Sequence, residues 1–268
     1  MVPDPTRRAL GLLLALAALA LLPSCRTDRR GGPPGDATAT LPVSPAATAP
    51  STSRPTTIPA PGYVKPDQFD YRRIMGDPPA DDSPEHRAEV ARMLDFQATR
   101  TPEIVRRCQD EEDVTAFAFA TVLGDWFNER DLPQTAAVMR YAFADAKAVS
   151  DAAKKVWTRT RPAKANPQIH PCVRPELTPS YPSGHAVRGV VWATLLAEVF
   201  PEKRDELMAR GRQIGDDRFV AGMHYPTDVA AGQKLGAEVA AKLLASEPFR
   251  ATLERAKAEC LADAAAHR

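Results

Sequence analysis

Hydrophobic residues from about Tyr63 onward recur at helical spacing, and this pattern limits the fold more than any other feature of the chain. Apolar side chains return every three or four positions in one segment after another. No segment shows the apolar–polar alternation that a half-buried β-strand needs. We therefore predict that residues 63–268 form one all-α domain, a single helical bundle without internal repeats.

Capping residues and prolines predict where individual helices begin and end. Ser83-Pro84 and Thr101-Pro102 each place an N-cap residue before a proline at the first helical position. Pro226 breaks the chain, so that Thr227 is predicted to cap a helix beginning at Asp228. The other predicted segments are helices over Glu112–Asn128, Asp131–Trp157, Glu202–Gly215 and Pro248–Ala265, with a short element over Asp216–Met223.

The first 24 residues have the organisation of a bacterial export signal. Arg7 and Arg8 precede an apolar run over Ala9–Leu22, which is shorter than a membrane-spanning helix needs. The run ends in Leu22-Pro23-Ser24-Cys25, which resembles a lipobox. We predict a signal peptide over 1–24 and an exported protein, periplasmic or in the cell envelope, anchored to the membrane through lipid on Cys25. A plain secretory signal is the alternative, and the choice between Sec and twin-arginine export stays open.

Residues 25–62 are rich in proline, alanine and threonine and contain almost no large apolar side chain. A segment of this composition cannot bury enough surface to offset its chain entropy. We therefore expect a disordered tether between the anchor and the helical domain.

The charge balance of the chain argues against one class of partner. Lys and Arg number 35 and Asp and Glu number 34, so the chain lacks the basic excess typical of nucleic-acid binders. We predict no nucleic-acid partner. A homo-oligomer is an open alternative, although the sequence does not locate an apolar face for it.

Three cysteines follow Cys25, namely Cys108, Cys172 and Cys260. In an exported protein two of them could form a disulfide bond, and the sequence does not decide which two. None has the spacing of a zinc site or a histidine-rich neighbourhood, so a structural role is favoured over metal binding or nucleophilic catalysis.

The stretch Ser180-Tyr181-Pro182-Ser183-Gly184-His185 is the first candidate for a functional site. Ser183 is a good N-cap, Gly184 permits close approach of a ligand to the backbone, and helical apolar spacing follows as far as Val199. The free N–H groups at such a helix start bind anions, and phosphate is a common one. The alternative is an ordinary capped helix with a surface histidine.

Three cations, a second histidine and a carboxylate flank this helix start in the sequence. They are Lys154, Arg161, Arg218, His224 and Asp228. Buried together, such groups are well suited to a phosphoryl group, whose transition state spreads negative charge over its oxygens. Lys154 by itself would not indicate a functional site, since a cation is favoured in the last turn of any helix.

Two histidines can divide the chemistry of phosphoryl transfer between them. One attacks phosphorus and the other protonates the departing alkoxide. A nucleophilic histidine needs an acceptor that fixes its tautomer, and only His224 has an obvious one, Asp228. We therefore predict that His224 is the nucleophile and that His185 is the acid and base. No carboxylate cluster offers a metal site, so no metal and no cofactor are predicted.

Taken together, the motifs resemble a known tripartite signature. Lys154-x6-Arg161-Pro162, Pro182-Ser183-Gly184-His185 and Arg218-x5-His224-x3-Asp228 are similar to the signature of the type 2 phosphatidic acid phosphatase superfamily. The soluble bacterial class A nonspecific acid phosphatases look most similar, over roughly 131–260. The resemblance implies the all-α fold that this superfamily shares with vanadium haloperoxidases, and a metal-independent acid phosphatase acting on small phosphomonoesters. It assigns the same roles to His224 and His185, and it implies that vanadate inhibits as a phosphate mimic.

One position departs from the family pattern. The residue before Arg218 is usually serine, and here it is Asp217. Its carboxylate either pairs with Arg218 and weakens phosphate binding, or points away from the site.

Three other functions share part of this pattern. Vanadium-dependent haloperoxidases resemble the chain in the same residues, and a membrane tether would suit a lipid phosphate phosphatase. A protein that only binds phosphate would need the cations and amides but not both histidines. His170, in the proline-rich loop between Pro162 and Pro182, either lines a substrate mouth or, as we favour, faces solvent.

Overall fold

The computed structural model describes residues 62–267, and every regular element in that range is helical. The predicted signal peptide over 1–24, the lipidation site Cys25 and the predicted tether as far as residue 61 lie outside the described residues. The all-α prediction is confirmed for the part that the structure describes. Within it, no helix combines the length and the hydrophobicity needed to cross a lipid bilayer.

Ten α-helices follow one another along residues 62–267. They are α1 (Tyr71–Met75), α2 (Pro84–Thr99), α3 (Pro102–Asp110), α4 (Ala120–Leu123), α5 (Pro133–Ala153), α6 (Pro162–Ala165), α7 (Gly184–Val199), α8 (Arg204–Val220), α9 (Pro226–Ala245) and α10 (Glu247–Ala266). Short 3₁₀ segments cover Pro66–Gln68, Ala116–Phe119 and Pro201–Lys203. The predicted N-caps of α2 and α3 are confirmed, because Ser83 and Thr101 each accept a hydrogen bond from a backbone N–H of the first turn.

Helix α7 lies at the centre of the domain. It is buried on nearly all sides and packs against α5, α8 and α9, as expected of a helix whose apolar residues do not form a single stripe. Its buried residues belong to the main hydrophobic core, which also takes in side chains of α5, α9 and α10.

Small residues bring the backbones of α7, α8 and α9 into direct contact. A Cβ atom added at Gly189 of α7 would lie 2.4 Å from the carbonyl oxygen of Gly211 on α8. On α9, a Cβ at Gly232 would lie 2.4 Å from the carbonyl oxygen of Ser183, and one at Gly236 would lie 2.6 Å from that of Val187. These glycines therefore let α9 pack directly against the backbone of α7.

The start of the described chain is attached to α5 through one buried carboxylate. Asp145 accepts hydrogen bonds from the backbone N–H groups of Gly62 (2.7 Å), Tyr63 (3.0 Å) and Val64 (3.0 Å). Gly62, the last residue of the predicted tether, is thus bound to the helical domain.

The predicted helix over Glu112–Asn128 is wrong. The chain forms only the 3₁₀ segment Ala116–Phe119 and the single turn α4, which ends at Gly124 with φ of 106°. An L-residue rarely adopts that backbone conformation, so the glycine ends the helix although the apolar spacing continues.

Two other predicted boundaries differ from the structure. The segments over Glu202–Gly215 and Asp216–Met223 are largely one helix, α8, which runs without a break to Val220. Helix α9 begins at Pro226 rather than Asp228, and Tyr225 is its N-cap. Thr227 does not cap it, because its N–H and hydroxyl both donate to Glu89 on α2, at 2.7 and 2.6 Å.

The cysteines of the described range are free thiols. Cys108 on α3 and Cys172 share one small apolar cluster, whereas Cys260 on α10 lies 3.1 Å from the hydroxyl of Thr135. Burial raises the pKa of Cys108 to about 12 and that of Cys260 to about 11. Such thiols are inert at neutral pH, which agrees with the structural role favoured for them.

The contact between Gly189 and Gly211 gives a test of the fold. We expect Gly189→Ala to lower the free energy of unfolding by about 2–3 kcal/mol, because the added methyl group overlaps backbone rather than a mobile side chain. Urea denaturation measures the change. The matched control is Gly62→Ala, where no atom lies within 4 Å of the added Cβ. Equal stability of the two variants would contradict this packing.

Candidate functional site

The predicted site residues come from five different places in the fold and meet at one buried location. Ser183, Gly184 and His185 open α7, and Arg218 lies in the last turn of α8. His224 precedes α9 and Asp228 lies in its first turn, while Lys154 caps the end of α5 and Arg161 is the N-cap of α6. All of these side chains are buried except at Gly184, which is partly exposed.

The start of α7 has the predicted cap. The hydroxyl of Ser183 accepts a hydrogen bond from the backbone N–H of Ala186 at 3.4 Å. The N–H of Ser183 donates to the carbonyl oxygen of Asp228 at 2.9 Å, which ties the start of α7 to the start of α9. The first turn of α7 therefore presents its free N–H groups beside the α9 residues.

His224 is held between a cation and a carboxylate. Its Nε2 lies 2.9 Å from Nη1 of Arg161, and its Nδ1 lies 3.5 Å from Oδ2 of Asp228. Arginine can only donate, so Nε2 must accept and the ring proton must be on Nδ1, facing the carboxylate. This tautomer leaves the lone pair on Nε2. Burial and the nearby Arg161 and Lys154 lower the pKa of His224 well below its ordinary value, so the ring is neutral.

Asp228 is itself fixed by several donors. It accepts hydrogen bonds from the Ser180 hydroxyl at 2.5 Å, from the backbone N–H of Tyr225 at 2.9 Å and from Nη1 of Arg159 at 2.7 Å. These contacts fix the direction in which the carboxylate faces His224.

Arg159 is a positioning residue that the sequence analysis missed. It joins Asp228 to Glu89 of α2, whose carboxylate lies 2.7 Å from Nη2, and its guanidinium stacks 4.0 Å from the centre of the Tyr225 ring. His86 Nδ1 lies 3.2 Å from the same Nη2. The only sequence signal was its place two residues before Arg161, and Glu89 carries no local signal because it arrives from a distant helix.

His185 has one nitrogen committed to the backbone. Its Nε2 lies 3.2 Å from the carbonyl oxygen of Glu112, to which it can only donate. In the neutral ring, Nδ1 is therefore the nitrogen that remains available for proton transfer. Burial, with repulsion from Arg188 and Arg218, lowers the pKa of His185 well below its ordinary value.

A carboxylate that was not predicted stands between the cations. Glu176, in the loop before α7, pairs with Arg161 at 2.6 Å and with Arg218 at 3.1 Å. Although burial opposes its ionisation, the positive charges of Arg161 and Arg218 hold the pKa of Glu176 at about 2. Its side chain is 38% exposed, so it covers the cations from the solvent side.

Several donors at the site have no partner within residues 62–267. Nε and Nη1 of Arg218 are buried without a hydrogen bond, and so is the hydroxyl of Ser150 near Gly184. Lys154 donates to the carbonyl oxygen of Pro179 at 2.6 Å, and burial together with Arg161 lowers its pKa to about 8. Buried donors without partners are costly, and an anion bound here would satisfy them.

Asp217 does not pair with Arg218. It forms a two-point ion pair with Arg107 of α3, with both N–O distances at 2.7 Å. Of the two alternatives for this position, the structure therefore supports the one in which the carboxylate points away from the site.

His170 faces solvent, which is the alternative that the sequence favours. It is exposed, and its backbone is attached to α2 through Gln97.

No group of three or more His, Cys, Asp or Glu side chains in the described range is arranged to hold a metal ion.

Together, the helical fold and the buried site define a class: an all-α protein in which two histidines and three cations meet at one buried location. The model of the PAP2 superfamily matches residues 135–250, which contain every predicted residue of this centre. A non-specific acid phosphatase from Salmonella typhimurium is 31% identical over 193 residues, covering 68% of this chain and 76% of that protein. The chain belongs to the PAP2 superfamily, which confirms the resemblance found in its sequence.

Two further relatives carry the same name. The non-specific acid phosphatase of Salmonella typhi is 28% identical over 68% of this chain and 76% of its own length. That of Providencia stuartii is 30% identical over 54% of this chain and 60% of its own length.

The neutral histidines predict how stability depends on pH. Their pKa values are lowered in the folded state, so the unfolded chain binds more protons and the free energy of unfolding falls as the pH drops below about 6.5. Each histidine contributes a slope of about 1.4 kcal/mol per pH unit. In the His224→Gln and His185→Gln variants, we expect the free energy of unfolding to fall less steeply between about pH 6 and pH 5, each time by one such slope.

Urea denaturation at several pH values measures these slopes. The control is His170→Gln, because that side chain is exposed. The pairs made by Glu176 are lost only at lower pH, since its pKa in the folded protein is about 2. A slope in His224→Gln equal to that in His170→Gln would show that the buried ring is not neutral.

Proposed function

We propose that this chain is an acid phosphatase that hydrolyses small phosphate monoesters through a phosphohistidine intermediate on His224. The PAP2 superfamily match and the relatives named non-specific acid phosphatase support the class of phosphoric monoester hydrolase. The observation that carries the mechanism is the position of His224, whose Nε2 lies 2.9 Å from Nη1 of Arg161 and whose Nδ1 lies 3.5 Å from Oδ2 of Asp228. These partners assign the lone pair to Nε2 and the proton to Nδ1.

The phosphoryl group is expected to bind where Glu176 now meets the arginines. Phosphate oxygens can accept from Arg161, from the unpaired Nε and Nη1 of Arg218, and from the N–H groups at Gly184. Lys154 adds a further positive charge. These groups concentrate charge stabilisation where negative charge develops in the transition state.

In the first step, Nε2 of His224 attacks phosphorus and the bond from phosphorus to the ester oxygen breaks. The electron pair of that bond stays on the ester oxygen, which takes a proton from Nδ1 of His185 and leaves as an alcohol. Asp228 stabilises the positive charge that forms on His224. His185 has a lowered pKa in the free site, and the negative charge of the arriving substrate raises it so that the proton is present.

In the second step, the neutral His185 accepts a proton from water. The water oxygen attacks phosphorus, the phosphorus–nitrogen bond breaks, and its electron pair returns to Nε2 of His224. Inorganic phosphate then leaves, and His185 releases to solvent the proton that it holds while an anion is bound. Both histidines are then neutral, as in the free site.

We also propose that the reaction needs no metal ion or cofactor. The positive charge that a metal would supply to the phosphoryl oxygens is available from Lys154, Arg161 and Arg218. Vanadate, which resembles the pentacoordinate arrangement at phosphorus, should bind the same groups and inhibit.

The location proposed for this activity is outside the cytoplasm, in the periplasm or the cell envelope. The support is the sequence of residues 1–25, with its apolar run and lipobox-like end at Cys25. The tether would then hold the site close to the membrane surface.

The proposed roles of the histidines can be tested with 4-nitrophenyl phosphate and the full-length protein. We expect His224→Ala to lower kcat by at least about 10³-fold and His185→Ala by about 10²–10⁴-fold, because one loses the nucleophile and the other the proton donor. The wild-type rate should be unchanged by excess chelator and reduced by vanadate.

The control for loss of an imidazole is His170→Ala, which should retain wild-type activity. Trapping with acid after mixing with ³²P-labelled substrate should leave label on His224. A folded His224→Ala protein that keeps its activity, or labelling that persists in that variant, would overturn the mechanism.

The pairing of Asp217 gives a separate prediction. We expect Asp217→Ser to leave kcat/KM within about threefold of wild type and to lower the free energy of unfolding by about 1–2 kcal/mol, because the carboxylate serves Arg107 and not the site. Arg107→Gln should instead raise KM, since it leaves Asp217 free to attract Arg218. A large gain in kcat/KM for Asp217→Ser would show that the carboxylate does weaken phosphate binding.

A further inference from the structure

Arg188 is a cation beside the proposed phosphate site that the mechanism does not use. It lies one turn after Gly184 on α7, and its guanidinium carbon is 4.9 Å from the centre of the Phe143 ring on α5. Its Nε is buried without a partner, and no hydrogen bond or ion pair within residues 62–267 involves its side chain. Burial and repulsion from Arg218 lower the pKa of Arg188 to about 10, so it is charged at neutral pH.

A cavity of about 180 Å³ connects Arg188 with the acid and base of the proposed reaction. Its wall includes His185, Gly184, Ser150 and Lys154. We call it the side cavity. It is smaller than typical sites for drug-sized ligands and suits a compound of a few carbon atoms.

The acids in the wall of the side cavity are occupied elsewhere. Glu176 pairs with Arg161 and Arg218, and Asp151 pairs with Lys147 at 2.5 Å. Arg188 therefore keeps an uncompensated positive charge on this wall. Arg188 is half-buried, and its Nε is fully buried without a partner. An unsatisfied buried donor costs free energy, so packing alone does not account for an arginine here.

The proposed chemistry determines which part of the substrate reaches the side cavity. His185 protonates the ester oxygen, so that oxygen must lie beside the imidazole. The alcohol part of the substrate continues from the same oxygen, and the side cavity is the open space that His185 lines. Lys154, Gly184 and Glu176 of the proposed phosphoryl site also line the side cavity, so a bound ester would place its phosphoryl group and its alcohol part in one continuous space. Arg188 is not among the groups assigned to the phosphoryl oxygens, so it is available to the alcohol part.

We propose that Arg188 forms a subsite for a second anionic group, which is carried by the alcohol part of the substrate. Phosphomonoesters that bear a carboxylate or another phosphate a few atoms from the ester oxygen are the class it selects. A guanidinium binds such groups through two parallel hydrogen bonds, and Phe143 holds its plane in place. This inference rests on the proposed function, because it deepens the account of which esters the site hydrolyses.

The test compares two esters that differ at one carbon atom. 3-Phosphoglycerate carries a carboxylate where glycerol 3-phosphate carries a hydroxymethyl group. In the full-length protein, we expect Arg188→Gln to lower kcat/KM for 3-phosphoglycerate by about tenfold or more relative to glycerol 3-phosphate. Arg188→Lys should keep most of the preference, since it keeps the charge.

The matched control is Arg250→Gln, which removes the charge of an exposed arginine at the start of α10 and should leave the ratio unchanged. Arg188→Gln should be at least as stable to urea as wild type, because it removes a half-buried charge that has no ion-pair partner. Equal losses on both esters, or an unchanged ratio, would overturn the subsite.

Two further measurements separate this inference from the proposed function. If the wild type hydrolyses neither these esters nor 4-nitrophenyl phosphate, the proposed function fails, and calorimetric binding of the two esters to wild type and Arg188→Gln still decides the subsite. If free glycerate inhibits the wild type through Arg188 while 3-phosphoglycerate shows no preference, the residue binds a separate anion and the substrate subsite is wrong.

Discussion

Backbone contact between α7 and its two neighbours is the constraint on which the rest of the structure depends. Gly189 and Gly211 let α7 and α8 meet without intervening side chains, and Gly232 places α9 directly on the carbonyl of Ser183. Because interhelical distances are shortest where residues are smallest, the ends of these three helices come within the length of a side chain of one another. Arg218, His185 and His224 sit at those ends. Larger residues at the contacts would separate the charges that make up the site.

Burying so many charges together costs electrostatic free energy, and the structure lowers this cost by keeping His224 neutral and by placing opposite charges next to one another. Cations crowd His224 and hold it neutral, which keeps a lone pair on Nε2 at the pH where most histidines begin to take up a proton. Asp228 would be costly to bury alone, and Arg159 offsets its charge at 2.7 Å while Glu89 balances Arg159. The proposed nucleophile, His224, thus depends on a chain of alternating charges that reaches α2. Its chemistry and the stability of the domain are therefore linked.

The sequence predicted the site residues that stand in short motifs, and it missed those that distant segments of the chain bring to the site. Lys154, Arg161, His185, Arg218, His224 and Asp228 stand in short motifs with helix-start signals, so their meeting could be anticipated. Glu89 and Glu176 gave no such signal, because their partners are fixed only by packing between distant segments. The helix predicted over Glu112–Asn128 failed for a related reason. Apolar spacing reports burial, whereas the break at Gly124 depends on a backbone angle that hydrophobicity does not encode.

The position of Glu176 determines how a phosphate ester would bind at this site. With its carboxylate between Arg161 and Arg218, the free protein already holds one anion, supplied by its own chain. A phosphate ester therefore enters by exchange, and the net charge gathered at the arginines changes by less than the full charge of the ligand. The affinity for the ester then reflects the difference between the free energies with which the arginines bind the ester and Glu176. It therefore depends less on ionic strength than binding to unpaired cations would. In the proposed reaction, the carboxylate of Glu176 would act as a tethered counterion that returns to the arginines when inorganic phosphate leaves.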